Sequence, residues 1–426
     1  MPGTLTPIRG RHQRPSQLTA LVCFSHLQWD FVWQRPQHLL SRFAREFPVI
    51  VVEEPSLEAD IEGAGELRIV ERDGVTVVTP VLPADDATPI RFNACTNAAI
   101  SALLAPFFAE RGLDADDAAV VAWYYTPMAL GAAPQGFAPA LIVYDVMDEL
   151  ASFQKAPPEL RSMESTLLRR ADVVFTGGPS LYEARKHRHP AVYCFPSGVD
   201  ADHFAHAADG MAPPADFDGR PRPIIGFYGV IDERLDLDLL RDVAGARPDW
   251  TIAMIGPIAK IEESALPRRE NIVYLGKREY QELPAYLACF DVAILPFARN
   301  EATRFISPTK TLEYLAGSKP IVSTPIKDVV DLYGEAVRFG DDPAEFIAAV
   351  EATLTESPAE QSKRAAASRR LLARHGWTTI ADQMMTIMRS QAGRRLVTYR
   401  SRETGSTQAP ARRAAMTGST ATAGIE

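Results

Sequence analysis

The feature that most constrains this chain is an alternation, run through twice, of short apolar segments with longer amphipathic ones. The first set is TALVCF (19–24), VIVVEE (49–54), VTVVTPV (75–81), AVVAWYY (119–125), ALIVYDV (140–146), DVVFTG (172–177) and AVYCF (191–195). Helical patterns such as PQHLLSRFAREF and ELRSMESTLLRRA lie between several of them. A strand that is apolar at every position is buried on both faces, and a helix between successive strands makes them parallel. A stretch rich in Ala, Pro, Gly and Asp (205–222) reads as a linker, and the alternation then resumes. The second set is PIIGFYG (223–229), WTIAMIG (250–256), NIVYLG (271–276), DVAILPF (291–297), PIVSTP (320–325) and AVRFG (336–340). The expected fold class is α/β, with two doubly wound Rossmann-like domains, residues 18–204 and 223–376, and a cleft between them.

Composition narrows the partners. Lysines and arginines number 45 against 54 acidic residues, a net charge of −9, which argues against nucleic acid. The four cysteines (Cys23, Cys95, Cys194, Cys289) show no paired spacing and read as free thiols in a reducing compartment. No apolar run reaches the roughly 18 residues of a membrane span. The arginines of residues 1–17 precede no apolar segment before a cleavage site, so that stretch reads as a flexible arm. A cytoplasmic location follows. Residues 391–426 read as a disordered basic tail; between Arg389 and Glu426 seven arginines face two glutamates. Such a tail is solvated, or is weakly drawn to the inner face of an anionic membrane.

The segment FISPTKTLEYLAGSKPIVST (305–324) points to chemistry. Ser307 is a good N-cap, Pro308 suits the first helical position, and Gly317 can close the helix. Lys310 then sits in the first turn, where a cation is disfavoured by roughly 0.3–1 kcal/mol unless an anion is also there. A phosphate at the carboxyl ends of the strands would supply that anion, flanked by Ser307 and Thr309. Glu313 shares the helical face, and a carboxylate accepting two hydroxyl donors suits a ribose. The alternative is an exposed Lys310–Glu313 pair, in the weaker orientation for a helical ion pair.

SPTKTLEYLAGSKPIVST resembles the donor-binding helix of retaining GT-B-type glycosyltransferases, in residues Pro308, Lys310, Glu313, Tyr314, Leu315, Ala316, Pro320, Ile321 and Val322. FPSGVDADHF (195–204) is similar to that family's crossover between domains, with Ser197 in place of the usual Asn, and IGFYG, MIGP and YLGKREYQELPAYLACFDVAILPF follow in family order. The resemblance spans most of residues 18–390. It implies the GT-B fold, a nucleoside-diphosphate sugar in the second domain, Glu313 on the ribose, Lys310 on the diphosphate, and a last helix (377–390) returning to the first domain. It also implies sugar transfer with retention, no metal and no cofactor beyond the sugar nucleotide as co-substrate. Two departures stand out. The Lys-Gly clamp after the first strand of the second domain is absent from GFYGVIDERL, leaving Gly229 and Arg234 there, Arg234 equally readable as a solvated helix-start residue. Phe305 occupies the place of an earlier glutamate, so that donor-contacting carboxylate comes from elsewhere, with Glu301 the candidate, or is missing. Lys277, in a loop that holds the nucleobase in the family, reads equally as a solvated charge.

SHLQWDFVWQRPQHLL (25–40) is similar to the first loop of a bacterial subgroup of these transferases. His26, Trp29, Asp30, Gln34 and Arg35 are its candidate contacts to a glycan, lipid-linked or small-molecule acceptor, with Gln37 and His38 beside them; packing into the core is the alternative. Glycosyl transfer needs a group to take the acceptor proton, and YDVMDELASF offers Asp145, Asp148 and Glu149. Asp148 is the candidate base, or else the N-cap of a following helix. TGGPS (176–180) fits a phosphate-binding turn or plain turn geometry. The sequence leaves two further readings open: an epimerase or hydrolase of nucleotide sugars, and a non-catalytic binding protein.

Overall fold

The computed structural model describes residues 17–405 apart from 62, 85–90 and 116–117, with side chains to residue 393. The N-terminal lobe is built on one sheet: β1 (Ala20–Phe24), β2 (Val49–Val52), β3 (Ser56–Glu58), β4 (Glu66–Arg72), β5 (Val75–Pro83), β6 (Val120–Tyr124), β7 (Leu141–Val146), β8 (Val173–Thr176) and β9 (Val192–Cys194). Its order is β3-β5-β2-β1-β6-β7-β8-β9, parallel except for β4, which pairs antiparallel on β5. The second sheet, β10 (Ile224–Tyr228), β11 (Thr251–Ile255), β12 (Ile272–Tyr274), β13 (Val292–Leu295), β14 (Ile321–Ser323) and β15 (Val337–Phe339), is wholly parallel in the order β12-β11-β10-β13-β14-β15. The expected α/β architecture of two Rossmann-like lobes is what forms. In each sheet the order reverses once, between β1 and β6 and between β10 and β13. Crevices open outside the strand ends at such reversals, which makes these loops the place to look for a ligand site.

Five helices matter for the site: α1 (Arg35–Phe43), α2 (Pro179–Arg185), α3 (Lys310–Ala316), α4 (Lys327–Tyr333) and α5 (Trp377–Gly405). Two strands escape the sequence pattern. β3 has three half-buried residues, and ELRIVER of β4 is largely exposed and charged, so neither shows an apolar run. The β4–β5 turn does carry a signal, Asp73-Gly74, both at positive φ (50° and 82°), as a two-residue hairpin turn requires.

Three segment boundaries differ from the sequence reading. Residues 205–222 are no extended linker: Phe204 and Phe217 are buried in the core of the second lobe, with single 3₁₀ turns between. The crossing lies earlier, where Val199 N–H donates to His375 O (2.7 Å) and Trp377 N–H to Val199 O (3.4 Å). The two crossover strands therefore run side by side. α5 packs Trp377, Ile380, Met384 and Met388 with Leu39, Leu40 and Phe43 of α1 in the first lobe's core. It continues to Gly405, through the part of the tail read as disordered. A docked helix needs no new nucleus to propagate, and Arg394, Arg395 and Leu396 are good helix formers with no proline to stop them. The rest of the basic tail and the arm before residue 17 lie outside the described residues.

Candidate functional site

A cavity of about 460 Å³ opens between the lobes at the β10–β13 reversal. From the second lobe it is lined by Tyr228, Gly229, Arg234, Thr309, Lys310 and Glu313, and from the first by Trp29, Asp30, Trp33 and Gln34.

Its floor depends on glycine. β10 ends at Gly229, with φ of 142°, and a Cβ there would fall 1.9 Å from Lys310 Cε. Gly256, at φ 141°, lets β11's end approach equally closely; a Cβ would fall 1.9 Å from Gly229 O. The lysine stem thus lies directly against the turn, and only a residue lacking Cβ accommodates both its approach and the backbone conformation. The start of α3 is two residues later than its sequence suggests. Ser307 and Pro308 form a lead-in turn, with Thr311 N–H donating to Pro308 O at 3.2 Å, and Thr309 is the N-cap. Pro308 brings the chain in but takes no part in the helix.

Lys310 and Glu313 share this cavity. Burial pulls the lysine below its usual range, Arg234 acts the same way and Glu313 opposes both. Glu313, 6% exposed, is pushed up by burial, and Lys310 opposes the shift. Among the described residues Lys310 makes no hydrogen bond or salt bridge, unlike the exposed pair the sequence left open. Arg234 is held by Asp232, Nε to Oδ1 at 2.9 Å and Nη2 to Oδ2 at 2.7 Å. Asp232 is 2% exposed, so the arginine is fixed rather than solvated, with Nη1 uncommitted among the described residues. Asp148 comes from the loop after β7. Burial raises its carboxyl, and Arg234, Lys260 and Lys310 pull it back. It is not an N-cap: the next turn begins after Glu149 and no side chain caps it. A carboxylate from one lobe therefore stands among the cations of the other.

Several sequence candidates lie elsewhere, or line the cavity while held in other contacts. Arg35 is 3% exposed and grips Asp145 (Nε–Oδ2 and Nη2–Oδ1, both 2.9 Å) and Phe195 O (2.9 Å). Asp145 is fully buried, so this pair braces β7 beneath the cleft and cannot reach an acceptor. Glu149 is bound to Arg185 at 2.8 Å. Gln37 and His38 are buried; Gln37 Nε2 donates to Trp29 O (2.8 Å). Trp29 is 4% exposed, its indole donating to Asp73 at 2.9 Å, so it is a fixed wall. Lys277 reaches across the cleft, donating to Asp30 O at 2.8 Å, and so ties the lobes at the rim. Ser307 packs on the first lobe at Gly178, outside the cavity. Glu301 is exposed beside Arg304, and Phe305 leans on the first lobe's core, so neither supplies a second carboxylate. His26 lines a different cavity. Asp232, Tyr228, Tyr280 and Lys260 were missed. Only Asp232 left a trace, the Asp-x-Arg spacing with Arg234 that permits a short-range clamp.

Residues 222–356 match the family of glycosyl transferases group 1. That segment covers most of the second lobe. A Bacillus subtilis (strain 168) protein provisionally named a teichuronic acid biosynthesis glycosyltransferase, TuaH, is 29% identical over 238 residues, 53% of this chain and 59% of that protein. The chain thus spans about three fifths of that relative's length. Sucrose-phosphate synthase from Thermosynechococcus elongatus superposes with a TM-score of 0.64 at 16% identity, covering 87% of this chain and 98% of the other. An E. coli trehalose-6-phosphate structure bound with UDP-2-fluoro glucose gives 0.63 at 13%, covering 87% and 99%. The fold is GT-B.

Proposed function

We propose that this protein is a glycosyltransferase that takes a nucleoside-diphosphate sugar in the 460 Å³ cavity and passes the sugar to an acceptor hydroxyl. The observation that carries the reading is the convergence of Lys310, Arg234 and Glu313 on one cavity at the second sheet's reversal, with Asp148 of the first lobe feeling the charges of Arg234 and Lys310. Lys310 and the open edge of Arg234 meet the diphosphate, and Glu313 takes the ribose hydroxyls. The acceptor oxygen bonds to the anomeric carbon as the bond from that carbon to the diphosphate breaks. The electron pair leaves with the nucleotide, and the acceptor proton passes to Asp148. Asp148 stands among the same cations that receive the leaving group, which favours attack from that side and so retention. Positive side chains supply the charge that the leaving diphosphate needs, so the proposed reaction needs no metal or further cofactor. The sugar nucleotide's cytoplasmic supply fits a site there, with a glycan or lipid-linked acceptor as partner.

The test is a thermal-shift panel of UDP, GDP, ADP and dTDP, since a ligand at a hundredfold over its Kd adds about 2.7 kcal/mol. One nucleotide should raise the melting temperature, Glu313→Ala should remove the shift, and Asp148→Asn should keep it while losing transfer. No shift with any nucleotide overturns the donor site, and full transfer by Asp148→Asn overturns the base.

A further inference from the structure

A second cavity, of about 280 Å³, lies in the first lobe against the loops after β1 and β7. Its walls are mostly carbon: Phe92, Met128, Leu150, Phe153 and Leu160. Polar side chains also line it: His26, Glu54, Arg91, Thr126, Gln154, Lys155 and, from the other lobe, Lys260. His26 Nδ1 is buried and has no hydrogen-bond partner among the described residues. The cavity adjoins the donor site through one side chain. Lys260 Nζ lies 4.1 Å from the centre of the Phe153 ring, and Arg234 Cζ, from the donor cavity, lies 5.6 Å from the same ring. Asp148 feels both of those cations.

Resting on the glycosyl-transfer reading, we propose that this second cavity receives an apolar aglycone of the acceptor, an aryl or short alkyl group. The hydroxyl-bearing sugar attached to it would then lie at Asp148. The surface those walls present is mostly carbon, which favours an apolar group. A space of 280 Å³ suits a substituted ring. Apolar walls with a few polar side chains among them are the usual makeup of a small-molecule pocket. His26 is held neutral, burial and then Lys260 pulling its pKa down to about 4, so it adds no charge to its wall. Its place in the first loop after β1 is retained from the sequence reading; the partner it would meet is new.

The experiment titrates 4-nitrophenyl hexosides against their methyl counterparts by calorimetry, with UDP present, on the wild type and on Ala156→Phe. Ala156 lines the cavity, and the larger ring would fill it. At least one nitrophenyl hexoside should bind about tenfold tighter than its methyl partner, and Ala156→Phe should erase the difference. Thermal shifts by the nucleotide panel should be the same in both proteins, which separates this outcome from failure of the donor site. Equal binding of nitrophenyl and methyl hexosides by the wild type overturns the proposal, as does a preference that survives Ala156→Phe. If Ala156→Phe is less folded, Leu150→Ala, at a half-buried wall position, should reduce the preference instead; a preference unchanged in it overturns the assignment equally.

Discussion

Two segments of this chain have almost the same sequence logic and opposite fates. TGGPS leads from β8 into α2, and ISPTK leads from a β13 loop into α3; each is a strand, a turn with a proline, and a short helix. At α2 the protein fills the site itself. Asp328 of α4 accepts from Ser180 N–H (3.2 Å) and from its hydroxyl, and a Cβ on Gly178 would fall 2.5 Å from Asp328 Oδ2. At α3 a cavity stands open, and it is bordered by a lysine whose side chain makes no hydrogen bond or salt bridge among the described residues. Occupation by the chain's own side chains separates a structural turn from a ligand site, and the occupant comes from 148 residues away in sequence.

The sharpest way to break this contrast is at Lys310. Lys310→Ala should lower turnover at saturating donor about 10²–10³-fold, the scale of losing one preorganised charge on a leaving group. Wild-type kinetics would put the anion elsewhere. Gly229→Ala comes next. The added Cβ strikes the Lys310 stem in a backbone region costly for alanine, so we expect about 1–3 kcal/mol of lost stability and a turnover reduced roughly tenfold or more. Combined with Lys310→Ala, the glycine change should cost less than it does alone, because the side chain it strikes is gone. Strict additivity in melting and kinetics would show that the two positions are not coupled.

The fold could be read from the sequence because its signal is local: the buried strands of a parallel sheet are largely apolar runs, as β1, β2 and β10 show. β4 could not be read that way because it is exposed, and the Asp73-Gly74 turn that closes its hairpin was passed over. The site was legible in part. Lys310 and Glu313 sit on one short helix, so spacing brings them together. Asp148, Arg234 and Lys260 meet only through the packing of two lobes, which no spacing encodes. Arg35 and Asp145, 110 residues apart, were each read as cleft groups for the same reason: one buried charge in a sequence does not name the partner that will neutralise it.

The plugged turn makes its own prediction. Asp328→Ala removes the acceptor for two donors on Ser180, one of them the backbone N–H of a buried helix start, and should destabilise the fold by about 2–3 kcal/mol. Its effect on the nucleotide shift should be nil, because α2 holds no ligand. A loss of nucleotide binding at native stability would mean that the two turns work together, and the contrast between them would fail.

The smallest effect tests the second cavity against the first through pH. Glu54 lies in carbon walls, and burial lifts its pKa to about 7, with the Phe92 N–H, Arg91 and Lys260 only partly opposing. A carboxyl whose folded pKa is raised stabilises the fold while it stays protonated. That contribution is fully present below the unfolded value of 4.5 and is lost as pH rises through about 7. Glu54→Gln cannot ionise, so it should match the wild type in melting near pH 4 and exceed it by about 1–2 kcal/mol at pH 8. Glu313 is also lifted by burial, but Lys310 beside it opposes the shift, so Glu313→Gln should gain less at pH 8 and lose ribose binding besides. Unfolding curves for both variants at the two pH values decide the matter. A Glu54→Gln variant no more stable than wild type at pH 8 would mean that water or a cation already reaches this carboxylate, and the carbon-walled character of the second cavity would have to be given up.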